Sequence, residues 1–80
     1  MKLSIIVTLK KEVLDPQGKV IKETISNMNL KGIEEVRQGK YFEIEIDEKN
    51  FEKAKLKAED LCNKLLANLV IEEYKIVEKI

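Results

Sequence analysis

The sequence predicts an α+β domain in the order β-α-β-β-α-β, with a mainly antiparallel sheet and two helices on one face. Three observations carry this expectation. Two segments alternate apolar and polar residues with the period of a strand. Two others set apolar residues along one side of a helix. No linker or low-complexity run interrupts the 80 residues, so they read as one domain, 1–80.

Leu3, Ile5, Val7 and Leu9 alternate with Lys2, Ser4, Thr8 and Lys10, giving a first strand with one buried face. Ile6 breaks the alternation. It is either a scattered surface apolar residue or a contact with a second chain. Asp15-Pro16-Gln17-Gly18 starts a helix: Asp15 caps, and Pro16 suits the first helical position, where its missing N–H has no partner anyway. Val20, Ile21, Thr24, Ile25 and Met28 share one side of that helix. Asn27, Asn29 and Gly32 stop it.

Residues 33–38 read as a second strand, although Ile33 and Val36 have opposite parity. Gln38-Gly39 reads as a tight hairpin connection, with Gly39 free to take positive φ. Phe42, Ile44 and Ile46 alternate with Tyr41, Glu43 and Glu45 in a third strand. Residues 47–50 cap the next helix, whose apolar stripe is Phe51, Ala54, Ala58, Leu61, Cys62, Leu65 and Leu66. Leu56 falls on the far side. With Ile6 it points to a partner surface, and a chain this short gains from oligomerisation. Ala67 and Asn68 end the helix, and the β-branched and aromatic run from Val70 to Val77 is the last strand. Two β-α-β halves in this order suggest a ferredoxin-like arrangement.

The composition excludes more than it assigns. Fifteen basic and 15 acidic residues cancel, so no global field draws the chain to nucleic acid or a membrane. Arg37 is the single arginine, which disfavours a phosphate-reading surface. Histidine is absent, removing the commonest general base and metal ligand. The lone Cys62 cannot form an intrachain disulfide and fits a reducing, cytoplasmic setting. The N-terminal apolar run is too short for a signal peptide, and no segment is long enough to span a membrane.

No catalytic constellation emerges. Gly18, Gly32 and Gly39 are isolated rather than gathered in a phosphate loop. Cys62 lies on an apolar stripe and reads as a small buried hydrophobe. Glu34, Glu35, Glu43, Glu45 and Asp47 read as solubilising, edge-protecting charges. Lys49, Lys53, Lys57 and Lys64 read as a solvated helix face. An RNA-binding sheet would need aromatics and a basic excess that this chain lacks.

Four stretches carry a family resemblance. Val13-Leu14-Asp15-Pro16-Gln17-Gly18 resembles the V-L-D-P-Q-G opening of the small subunit of phosphoribosylformylglycinamidine synthase, the PurS family. Val36-Arg37-Gln38-Gly39-Lys40-Tyr41 is similar to that family's V-R-x-G-K-Y/F stretch. Cys62-Asn63-Lys64-Leu65-Leu66-Ala67-Asn68 is similar to its C-x-K-L-L-A-N helix end. Val70-Ile71-Glu72-Glu73-Tyr74 is similar to its V-I-E-D/N-Y last strand. The resemblance spans the chain in order and length. One departure is Leu69, which stands where the family usually has Pro.

The resemblance implies an accessory subunit of an enzyme split into three proteins. A glutaminase subunit releases ammonia from glutamine. A large synthetase subunit uses ATP and magnesium to activate formylglycinamide ribonucleotide, which ammonia converts to the amidine. The small subunit, usually a dimer, bridges the two and assists ammonia transfer, with no cofactor of its own and no activity alone. The matched positions are Asp15, Pro16, Gln17 and Gly18; Arg37, Gly39, Lys40 and Tyr41; and Ala67, Asn68 and Tyr74. Each either touches a partner or sets the fold. Ile6 and Leu56 are the candidate oligomer contacts. The rival reading is a free-standing ferredoxin-like regulatory module with a ligand-sized cleft at a subunit interface.

Overall fold

The computed structural model describes residues 1–78. Strand β1 (Lys2–Leu9) lies between β2 (Gly39–Glu45) and β3 (Glu72–Val77) in an antiparallel sheet of order β2-β1-β3. Its alternation fixes both registers, with Ile5 opposite Phe42 on one side and Ile76 on the other. Leu3, Ile5 and Val7 are fully buried on one sheet face.

Helix α2 (Phe51–Leu61) covers that face with Ala54 and Ala58, and Cys62 continues the line. Two small residues let the helix backbone approach the sheet closely. Asn50 caps α2, its side chain accepting the Lys53 amide at 3.2 Å. The helix then widens into one π turn, Cys62–Leu66, closed by the Ala67 amide donating to the Cys62 carbonyl at 3.0 Å. Cys62 and Leu66 stay on the core side, whereas Leu61 and Leu65 turn outward, Leu65 being 75% exposed. The expected stripe is therefore narrower than the sequence suggests.

The α+β class, the antiparallel sheet and the succession of elements match expectation. Within the single chain, two details differ. Residues 33–38 make no ladder, so Gln38 and Gly39 do not close a hairpin. Helix α1 (Pro16–Asn27) does not lie on the sheet, and none of its residues joins the core cluster. Both have one cause. The chain leaves the sheet after Leu9 and returns at Gly39, which is paired next to Leu9's neighbour Thr8. Departure and return share one end of the sheet, and among the described residues no parallel strand carries α1 back across its face. The molecule is accordingly elongated, 49 × 26 × 14 Å. Asn29 at φ 63° and Gly32 at φ 91° reverse the chain beyond α1, as the stop signals predict.

Candidate functional site

Helix α1 and the returning residues 28–38 form an arm whose root gathers much of the motif sequence. Asp15 is the centre of this root and is 8% exposed. Its Oδ1 accepts the Gly18 amide at 2.9 Å, the helix cap its position predicts. Its Oδ2 accepts the Gln38 amide at 2.8 Å, from the other leg of the arm. The Gln38 and Gly18 amides, in that order, hold the Asp15 carboxyl below its usual range, and the Arg37 guanidinium adds to this against the opposing effect of burial. Arg37 donates to the carbonyls of Leu9 at 3.2 Å and Lys10 at 3.0 Å, the last groups of β1 and its exit.

Gly18 and Gly39 serve close approach here. A Cβ on Gly18 would sit 2.2 Å from the Val36 carbonyl oxygen, and one on Gly39 would sit 2.5 Å from that of Val7. Gly39 does not take the positive φ expected of it. The need for these glycines follows from neighbours distant in sequence, which no local pattern reveals.

Next to the root, Lys40 pairs with Glu72 at 3.4 Å, tying the start of β2 to the start of β3. Glu72 also accepts the Asn68 amide at 2.7 Å. Asn68 organises the turn from α2 to β3: its side chain accepts the Val70 amide at 3.1 Å, and its carbonyl accepts from Ile71 and Glu72 at 3.0 and 2.7 Å. Ala67 caps the π turn. Tyr74 packs on the core and donates to Asn63 Oδ1 at 3.3 Å, so two matched stretches fasten each other. Burial, then the nearby Glu59 and Cys62, pushes the Tyr74 hydroxyl pKa up. Gln38 and Glu72 are positions of this network that residue-by-residue reasoning passed over. Their presence inside matched stretches was the available signal.

Pro16 and Gln17 stand beside Gln38 along an open furrow of about 390 Å³ that runs up the apolar side of α1 to Val20 and Ile21. Val20 and Met28 are more than half exposed. Tyr41 lies on the sheet face away from α2, directly opposite Ile6, with its hydroxyl 3.1 Å from Ser4 Oγ. Leu56 is exposed on the outer side of α2. Ile6 and Leu56 thus occupy opposite sides of the molecule and form no single patch. Among the described residues, no helix is long and apolar enough to cross a membrane.

Fold and site together define a small α+β interaction module, with its matched residues spent on shaping an arm and a sheet. A family model described as PurS, phosphoribosylformylglycinamidine (FGAM) synthase, matches residues 2–79. The chain is 41% identical over 80 residues to the PurS subunit of Methanocaldococcus jannaschii, covering 99% of this chain and 96% of that one. It is 40% identical over 74 residues to the Bacillus subtilis PurS subunit, covering 92% and 87%. The crystal structure of the M. jannaschii PurS superposes with TM-score 0.87 at 42% identity, covering 99% and 96%. A chain in the structure of PurLQS from Thermotoga maritima gives TM-score 0.87 at 32% identity, covering 95% and 93%. The chain belongs to the PurS family.

Proposed function

We propose that this chain is the bridging subunit of a phosphoribosylformylglycinamidine synthase in purine biosynthesis. It docks a glutaminase subunit onto a synthetase subunit, in the cytoplasm, and acts as a homodimer or higher oligomer. ATP and magnesium belong to the synthetase partner. The observation that carries the reading is the arm, whose apolar residues Val20 and Ile21 on α1 and Met28 at its end lie outside the chain's own core. A small chain that leaves such a face uncovered offers it to another protein. The likeness to a chain of the Thermotoga maritima PurLQS structure supports assembly as the role.

The chemistry of the proposed reaction suits a bridge. Ammonia in neutral water is mostly ammonium, which lacks the lone pair needed for attack. Delivery between two active sites therefore depends on shielding, and shielding depends on docking. Against the rival regulatory reading, the furrows around α1 are open and share walls with the arm rather than forming an enclosed cleft.

The test compares two nitrogen sources. Adding this chain to the glutaminase and synthetase should strongly raise amidine formation from glutamine. Formation from excess ammonium salt should depend on it far less, because free ammonia bypasses transfer. Equal loss of both activities on its removal, with the synthetase still folded, would overturn the bridging role.

A further inference from the structure

We infer that the Asp15 carboxylate is a latch that fixes the direction of the arm relative to the sheet. The argument begins with connectivity. The arm leaves the sheet at Lys10 and rejoins it at Gly39, and α1 contributes nothing to the core cluster. Its direction must therefore be set at its root. There, one carboxylate holds both legs: Oδ1 takes the Gly18 amide on the outgoing helix, and Oδ2 takes the Gln38 amide on the returning leg. Arg37, adjacent to Gln38, ties the same leg to the carbonyls of Leu9 and Lys10. The close approach of Gly18 to the Val36 carbonyl lets the two legs meet.

An N-cap needs only one acceptor, and Ser, Asn or Asp serve equally well there. The second acceptor of Asp15 is the feature beyond capping. It joins residues 23 apart in sequence with a charge-assisted bond, the stronger kind. Asp15 is thus a positioning residue: it determines where the apolar side of α1 is presented. The latch itself does not depend on which partner covers the arm; only its consequence for assembly rests on the proposed function.

The experiment separates capping from latching. Asp15→Asn keeps one amide-oxygen acceptor and turns an N–H₂ toward the other amide, so it caps but cannot hold both legs. Asp15→Ser keeps the cap with a hydroxyl too short to span the two. Hydrogen exchange by NMR reads the Gln38 amide. Spin labels at Ser26→Cys and Lys53→Cys, in a Cys62→Ala background diluted with unlabelled chain, read the distance from α1 to α2. In both Asp15 variants the Gln38 amide should exchange roughly tenfold or more faster, the value of a lost hydrogen bond to a charged group. The distance distribution should broaden, while amide protection in β1 and the far-UV helical signal stay as in the parent. Unchanged Gln38 exchange together with an unchanged distance distribution would overturn the latch. So would equal loss of protection in β1, which would make Asp15 a general stability residue. The glutamine-dependent assay on the same variants is a separate readout, so failure of the bridging reading and failure of the latch remain distinguishable.

Discussion

Ile6 and Tyr41 face each other across the β1–β2 ladder, on the side of the sheet that α2 leaves bare, with Lys75 opposite Ile6 on the other flank. An aromatic and a β-branched residue paired this way stabilise the ladder. They also make an apolar spot on a face that carries the charged residues Lys2, Glu43, Glu45, Glu73 and Lys75.

This spot is expected to lie in a homo-oligomer interface. Ile6→Glu should leave the fold intact, because position 6 is exposed on the bare face of the single chain. It should weaken self-association at least about tenfold, since burying a poorly paired charge costs more than ~1.4 kcal/mol. Sedimentation velocity across a concentration series checks both halves. A parent protein that stays monomeric at micromolar concentration would rule the interface out.

Gly18→Ala reverses the ordinary helix rule. In an exposed helix interior, Ala is better than Gly by about 1 kcal/mol. Here the added methyl meets the Val36 carbonyl oxygen at 2.2 Å, a backbone atom that cannot swing aside. Overpacking of this kind costs about 1–3 kcal/mol, so a net destabilisation is expected in chemical denaturation. A stabilised variant would mean that the two legs of the arm separate without cost.

How much of this the sequence disclosed depends on the range over which each cause acts. Leu3, Ile5 and Val7 set β1 by alternation, and Asp15 and Asn50 cap their helices as their local pattern requires. Those causes reach four residues at most. The position of α1 was not legible, because an apolar helix face looks the same whether its own sheet or another chain covers it. Residues 33–38 gave a warning in the opposed parity of Ile33 and Val36. Gly39 reads as a source of backbone freedom in the sequence, whereas it and Gly18 each make room for a carbonyl far away in sequence. Arg37, the single arginine and a matched position, binds the exit of β1.

Asp15 also gives a pH signature. Its carboxyl is held below its usual range chiefly by the Gln38 and Gly18 amides. A depressed folded-state pKa contributes stability that is complete above the unfolded value, about 3.9, and is lost as pH falls through the folded value. The extra protection of the Gln38 amide in the parent over Asp15→Asn should therefore be constant near neutrality and shrink on acidification below about pH 4. Hydrogen exchange of that amide in both proteins from neutral to acid pH, corrected for its intrinsic rate, measures this. A gap that widened in acid would contradict the sign.

Cys62 is fully buried between α2 and the sheet, and desolvation, aided by Glu59, pushes its thiol pKa up. The thiolate is the reactive form, so the folded protein should resist thiol reagents until it unfolds. Cys62→Ala should cost on the order of 1 kcal/mol and leave assembly intact. Fast labelling under native conditions, followed by mass spectrometry, would refute the assignment of Cys62 as a packing residue.

Leu69 occupies the second position of the turn whose ends are joined by the Ile71 amide and the Asn68 carbonyl at 3.0 Å. That position favours Pro, because a fixed φ near −65° suits it and the turn does not require its N–H. The family's usual Pro at this place thus has a structural reason, and Leu69 forgoes it. The Leu69 side chain is 43% exposed and absent from the core cluster, so little packing is lost on replacement. Leu69→Pro should stabilise the chain by about 0.4–1 kcal/mol, by restricting the unfolded state. The gain should appear as a higher denaturation midpoint with an unchanged denaturant slope, since the surface exposed on unfolding is the same. Destabilisation instead would show that the Asn68 cap and a proline at 69 compete, because a residue before proline is pushed toward extended backbone.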